Sequence, residues 1–268
     1  MLHSQKLSRI FFLGMAASIA FGQDGLKMGD PGCDVTLQDR EFANRKFFQL
    51  CHSFDLREPL WVGYVLTKAD LDGPASRPAG FQTDKLLKHA GAKDRDYVGS
   101  GFSRGHMAPA EDFSRSKEAI KTTFVLSNVV PQVQSVNGGR WAQLELMVRN
   151  LVRQTGKAYI FTGPIFENDE VETIGDDAVG IPTHTFKVIL AVGPGDMKKM
   201  YAVIMPNEDS VKDTVNSFTT TVRTVEDKTG FDFFSALDKE EQDRLETTKE
   251  LFPDSLTRKK AKPAKNKR

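Results

Sequence analysis

Residues 60–67 (Leu-Trp-Val-Gly-Tyr-Val-Leu-Thr) are aromatic and β-branched with almost no polar interruption, the pattern of a strand. Residues 71–80, with Gly73, Pro74, Pro78 and Gly80, then break it into a loop that carries Arg77. Three further apolar runs, 158–166, 185–192 and 200–205, have strand length and composition, the first ending in Gly163-Pro164. Together these runs predict a central sheet. Between them, residues 140–154 place Trp141, Leu144, Val148, Leu151 and Val152 at helical spacing behind an Asn137-Gly138-Gly139 entry. Val211, Val215, Phe218, Val222 and Val225 recur every three or four positions and predict a second helix, stopped near Gly230. The order of elements is α+β. From Thr257 onward Lys, Arg, Ala and Pro replace every large apolar residue, so residues 257–268 predict a disordered basic tail.

Composition bounds the rest. At 268 residues, 39% hydrophobic and 27% charged, the chain can bury one substantial core, and nothing suggests a repeat array or a wholly disordered protein. One catalytic domain over residues 23–256 is the simplest organisation. The formal net charge of +1 hides an asymmetry: Lys6, Arg9 and the seven bases from Arg258 to Arg268 sit in segments without an acid, leaving 28 bases against 36 acids between them. An acidic body does not hold nucleic acid by bulk attraction, so phosphate binding requires a local basic cleft, a divalent metal or the tail.

Residues 1–22 read as a secretory signal, with Lys6 and Arg9 before an apolar stretch from Ile10 to Phe21 and small residues ahead of a cut before Gln23. The apolar run, about 12 residues, is short of the roughly 20 that a membrane span needs. Its continuity, and the lack of an Arg/Ser-rich amphipathic pattern, favour export over an uncleaved anchor or an organellar transit peptide. The mature protein is therefore expected to be secreted or periplasmic. In such a compartment Cys33 and Cys51 read either as one disulfide pinning the N-terminal segment or as two buried thiols, and neither reading makes them catalytic.

The densest chemistry lies in Ser103-Arg104-Gly105-His106, followed by Ser127-Asn128, Pro131-Gln132, Asn137, Trp141, Glu145 and Arg149. Hydrolysis of a phosphodiester needs a base for water, positive charge for the developing phosphorane and help for the leaving oxygen. His106 is the natural base because its ordinary pKa lies near neutrality. A lone histidine is more often structural, but Arg104 two residues earlier shares its strand face, and Gly105 between them permits close approach of backbone or substrate. Glu145 and Arg149 stand one helical turn apart; the plain alternative is a solvated ion pair worth a few tenths of a kcal/mol. Asn137 can cap the helix or offer its side-chain oxygen to a hard cation that keeps most of its waters, as Mg²⁺ prefers. Asn128 and Gln132 can equally be loop hydrogen-bonders.

On these residues the chain resembles the DNA/RNA non-specific endonucleases of the ββα-metal superfamily, from Trp61-Val62-Gly63-Tyr64 through Arg-Gly-His, Asn137, Glu145 and Arg149 to Thr162-Gly163-Pro164. The resemblance covers most of the mature chain. It implies a ββα-metal nuclease fold, a central antiparallel-rich sheet flanked by helices, and Mg²⁺, with Mn²⁺ as a substitute, held by Asn137 as its one direct protein ligand. It further implies His106 as general base, Glu145 orienting water about the metal, and Arg104, Arg149, Arg77 and Asn128 stabilising charge or holding the site. The implied activity is largely sequence-independent cleavage of DNA, RNA or both, leaving 5′-phosphate ends. A homodimer and a protein inhibitor stay open as partners. Ser103 stands where the family usually has aspartate, a variant similar to the exonuclease-like mitochondrial branch, and it bears on metal affinity and on internal versus end cleavage. Two other classes remain: a nucleic-acid-binding protein with little catalysis that uses its tail, and a phosphodiesterase acting on small diesters.

Overall fold

The computed structural model describes residues 5–6, 28–89, 91–209 and 211–257. In it the four apolar runs become neighbours in one sheet. In chain order the strands are β1 (Arg40–Asn44), β2 (Gln49–Ser53), β3 (Glu58–Thr67), β4 (Phe102–His106), β5 (Val129–Val133), β6 (Lys157–Ile165), β7 (His184–Val192), β8 (Lys198–Pro206) and β9 (Thr219–Thr220). The helices are α1 (Asp94–Tyr97), α2 (Lys117–Thr122), α3 (Ala142–Thr155), α4 (Val222–Thr229) and α5 (Lys239–Glu246). Seven strands form the main sheet in the order β9-β8-β7-β6-β3-β2-β1, every pairing antiparallel, while β4 and β5 form a separate hairpin.

Both faces of the main sheet are covered, so its strands read as nearly continuous apolar runs rather than an in–out alternation. Val62, Tyr64 and Leu66 of β3, Ile160 of β6, Ile189 of β7 and Val203 of β8 belong to the core shared with Trp141, Leu144, Met147, Val148, Leu151 and Val152 on and just before α3. The intervening Trp61, Phe161, Phe186, Val188 and Leu190 pack instead with Val222 and Val225 of α4, Phe233, Phe234 and Leu245 of α5. Each large side chain so buried contributes roughly 1.5–3 kcal/mol relative to exposure. α3 is thereby clamped along one stripe and can present its other face to a site.

α3 does not begin cleanly. A π-helical turn, Val136–Trp141, precedes it, with Gly139 at φ −106°, ψ −105°; such wide turns often mark functional positions in helices. The helix stops at Gly156, whose φ of +113° is a conformation side-chain-bearing residues rarely adopt.

The expected helix over Val211–Val225 is corrected by the structure: only Val222–Thr229 is an α-helix, stopped at Gly230 in the left-handed region. Val211, Val215 and Phe218 pack into the core beneath α3, whereas Val222 and Val225 belong to the opposite core. Between them the chain turns through Val215–Phe218 and rounds the sheet edge as β9, which pairs with Ala202 and Val203. The 3–4 residue spacing thus came from two cores rather than one helix. The helix can start only where the Thr221 hydroxyl accepts the Thr224 N–H.

Cys33 and Cys51 form a disulfide, with Cα atoms 5.5 Å apart. It ties the first described segment to β2 beside Trp61, whose indole N–H donates to the Gly32 carbonyl at 2.9 Å. At the other end, Leu256 is buried and its carbonyl accepts from Asn150 Nδ2 of α3 at 2.6 Å, so the packed chain runs through the turn Asp254–Thr257. Apart from residues 5–6 and Thr257, the signal and tail segments read from the sequence lie outside the described residues. Among the described residues no helix is long and apolar enough to cross a membrane.

Candidate active site

Hairpin β4–β5 and helix α3 carry the chemistry-bearing residues. In the hairpin, His106 is opposite Val129, Gly105 opposite Val130 and Arg104 opposite Pro131. Gly105 has a specific reason. A Cβ there would lie 2.5 Å from Gln132 Oε1 and 2.7 Å from its Cβ, so the glycine makes room for Gln132 rather than for substrate. Gln132 is buried and reaches across to the Thr185 hydroxyl of β7 at 3.4 Å, which fastens the hairpin to the main sheet.

His106 is 8% exposed, its ring lying between Phe81 and Phe124 at centroid distances of 5.0 and 4.9 Å. Burial, helped by the positive charge of Arg77 and opposed by Glu111, depresses its pKa to about 4. The imidazole is therefore neutral near pH 7. Its Nε2 has no hydrogen-bond partner among the described residues, so the side chain has a free nitrogen of the kind a base requires. Arg104 shares its strand face: its guanidinium lies 5.9 Å from the centroid of the same Phe81 ring and 5.1 Å from that of Tyr97. Asp94 orients it, with Nε 2.7 Å from Oδ1 and Nη2 donating to the Asp94 carbonyl at 2.7 Å. Ser103, on the opposite face of the strand, contacts Gln134 Oε1 through its hydroxyl.

Arg77 makes a two-pronged bond to Glu111, both contacts 2.9 Å, and remains half exposed. Asn128 is fully buried and fully engaged. Its Oδ1 accepts the Ala108 N–H, and its Nδ2 donates to the Ala108 and Thr123 carbonyls, all at 2.9 Å. Of the two readings open for this residue, the geometry is that of the loop hydrogen-bonder: Asn128 clasps the backbone two residues past His106 and leaves no donor for a phosphate.

On α3, Glu145 and Arg149 are not a solvated pair. Arg149 Nη1 donates to Asp112 Oδ1 at 2.9 Å, and the other carboxylate oxygen of Asp112, 1% exposed, accepts the Tyr64 hydroxyl at 2.9 Å. Glu145 lies in the same electrostatic cluster. Burial, reinforced by Asp112 and Glu111 and opposed by Arg149 and Lys187, raises its pKa to about 7. Asn137 lies in the π turn, half-buried, and its side-chain amide has no hydrogen-bond partner among the described residues. Four of the expected residues are thus brought into one electrostatic neighbourhood: His106 and Glu111 both sense Arg77, and Glu111 in turn acts on Glu145 and Arg149.

Three participants went unread in the sequence. Asp112 and Glu111 sit in a 3₁₀ turn, Ala110–Phe113, without a periodic signal. Lys187 did leave one: it is the single charge inside the run Thr185–Val192, at an inward position of a strand buried on both faces. A second acidic group, Glu226, Asp232 and Glu246, brings ligand atoms within 4.8 Å of one another. Arg223 lies 3.4 Å from Glu226 and 2.7 Å from Glu246 there, so the group already has a cation.

A basic, imidazole-centred face on a β-hairpin followed by a helix defines a ββα nuclease site. The chain matches the DNA/RNA non-specific endonuclease family over residues 26–240 and belongs to it. It is 36% identical over 235 residues to Nuclease C1 of Cunninghamella echinulata var. echinulata, covering 80% of this chain and 88% of that one. Endonuclease G, mitochondrial, of Bos taurus is 35% identical over 62% of this chain and 60% of its own length. Nuclease EXOG, mitochondrial, of Danio rerio is 36% identical over 69% and 58% respectively. Among solved structures, the crystal structure of an EndoG/EndoGI complex superposes with a TM-score of 0.72 at 29% identity, over 80% of this chain and 91% of the matched one. The fold is that of the ββα-metal nucleases, and the chain is a nucleic-acid hydrolase.

Proposed function

We propose that this protein hydrolyses phosphodiester bonds of DNA and RNA with little sequence preference, using His106 as the general base. The observation that carries the reading is the neutral, unpartnered His106 imidazole beside two arginines, in a chain of a non-specific nuclease family. His106 takes the proton of the attacking water; Arg104 and Arg77 lie on its side of the hairpin to meet the phosphate charge. No side-chain arrangement described here reads base edges, and contacts confined to the phosphate backbone carry no sequence information.

A hard divalent cation fits the residues present. Asn137 offers an amide oxygen with no protein partner, and Glu145 a carboxylate poised between charge states, both oxygen donors of the type Mg²⁺ or Mn²⁺ takes. When bound, such an ion neutralises a phosphate oxygen and the leaving 3′ oxygen, giving 5′-phosphate ends. Asn137 would hold it directly, and Glu145 would orient the surrounding water. Arg149 and Asp112 keep Glu145 in place rather than meeting substrate. The remaining inferences follow relatives: export after signal cleavage rests on residues 1–22, and a protein inhibitor is suggested by the neighbour solved in an EndoG/EndoGI complex.

The test is digestion of supercoiled, linear and single-stranded DNA and of RNA, with and without Mg²⁺, by the wild type and Asn137→Ala. Mg²⁺-dependent nicking of closed circles with 5′-phosphate ends, and a variant needing far more Mg²⁺ at an unchanged melting temperature, support the reading. A wild type indifferent to chelation, or active only on small diesters, rejects it.

A further inference from the structure

Lys187 is 1% exposed in the centre of the sheet, on the face that packs against α3. Its strand neighbours on that face are Thr185 and Ile189, both fully buried. An ammonium seldom occupies such a place without a purpose, because taking it from water costs several kcal/mol unless it is compensated. Its direct contacts are few: Nζ donates to the Met107 carbonyl at 3.4 Å and stands 5.0 Å from the centroid of the Trp141 ring. One contact is on the residue following His106, the other on the turn that carries Asn137 into α3.

The surrounding charges give the purpose. Glu145 of α3 and Asp112 of the Ala110–Phe113 turn both attract Lys187, and Arg149 of α3 repels it. The groups acting on Glu145 are Arg149 on its own helix, Lys187 from β7, and Asp112 and Glu111 from the turn. Tyr64 of β3, hydrogen-bonded to Asp112, senses Glu145 as well. With Arg77 on Glu111, three acids face three bases. Without Lys187 the balance fails by one buried negative charge.

We propose that Lys187 is a positioning residue of this site: its buried ammonium braces the backbone behind His106 against α3 and keeps the Glu145 carboxylate charged. This rests on the nuclease reading of Glu145. The device itself can be measured without metal or substrate.

The experiment follows the side-chain carboxyl of Glu145 by NMR in metal-free protein carrying ¹³C-labelled glutamate, the signal being assigned with Glu145→Gln. In Lys187→Met the Glu145 midpoint should rise by about one pH unit, a tenfold change in the ionised fraction below neutrality. Lys187→Arg, which keeps the charge, should leave it near the wild-type value. At pH 7 the kcat of Lys187→Met on plasmid DNA should fall about tenfold with KM little changed, recovering as pH is raised. Should Lys187→Met fail to fold, the reciprocal measurement serves: in Glu145→Gln the ¹⁵N-detected midpoint of Lys187 should fall. A folded Lys187→Met with an unmoved Glu145 midpoint, or a Lys187 midpoint indifferent to Glu145→Gln, overturns the proposal. If the midpoints move but the wild type cleaves no nucleic acid, the electrostatic device stands and the nuclease role of Glu145 fails.

Discussion

Asp112→Ala is the perturbation that most directly probes how the site is held together. Asp112 and Arg149 have side chains only 1% and 13% exposed, 2.9 Å apart, and the same carboxylate accepts the Tyr64 hydroxyl. Removing it leaves a guanidinium with little water and no counter-ion, the situation in which breaking a buried pair costs about 3–5 kcal/mol. The orphaned Tyr64 hydroxyl would by itself cost roughly 1–3 kcal/mol. The two losses share one carboxylate and do not add, and the slight exposure of Arg149 lets water recover part, so the expected loss is about 4 kcal/mol. At the 2–4 °C per kcal/mol typical of a domain this size, the melting temperature should fall by on the order of 10 °C. Urea titration followed by circular dichroism measures the free energy, and a thermal melt checks the shift. Asp112→Asn keeps the shape and an acceptor and should lose less. A loss under about 1 kcal/mol in Asp112→Ala would refute the view that this pair anchors α3 beneath the hairpin.

His106 also predicts a pH dependence of stability. Its pKa is depressed from 6.5 to about 4 in the folded protein, so the unfolded chain takes up the proton first. Stability is complete above about 6.5 and is lost as pH falls toward 4, by about 3 kcal/mol from this group; in His106→Gln the urea-midpoint-versus-pH curve should be flatter across that window, and an unchanged slope would contradict the buried, neutral assignment. Replacing Cys33 and Cys51 by serine opens a loop spanning a sequence separation of 18. On the chain-entropy account this costs about 3 kcal/mol, while cleavage at permissive temperature should be retained; a variant as stable as the parent would show that the bridge constrains nothing in the unfolded chain.

The sheet could be read from sequence because β3, β6, β7 and β8 are buried on both faces and therefore apolar without interruption. β1 and β2 escaped notice: Arg40–Asn44 mixes Arg, Glu and Asn with Phe and Ala, and its burial is partial. α5 escaped for a similar reason, since Lys239–Glu246 contains one large apolar residue, Leu245, and owes its start to the Asp238 carboxylate accepting the Glu241 N–H. The false helix over Val211–Val225 shows the opposite failure, a regular spacing assembled from contacts on two sides of a sheet. In the site, local motif and strand alternation were enough to pair Arg104 with His106. They could not show that Arg149 turns to Asp112, because that partner lies 37 residues away and is brought near only by the tertiary fold. The roles of Gln132 and Asn128 as clasps were equally invisible, being set by a glycine gap and by backbone atoms rather than by residue type.

The central claim is that His106 is the base of a metal-assisted nuclease. The most direct measurement is the single-turnover rate of plasmid cleavage in saturating Mg²⁺ by wild type and His106→Ala, with circular dichroism to verify the fold. Loss of a general base predicts a rate lower by about 10²–10⁴-fold with an unchanged spectrum. A correctly folded His106→Ala protein that cleaves within a few-fold of wild type would contradict the account.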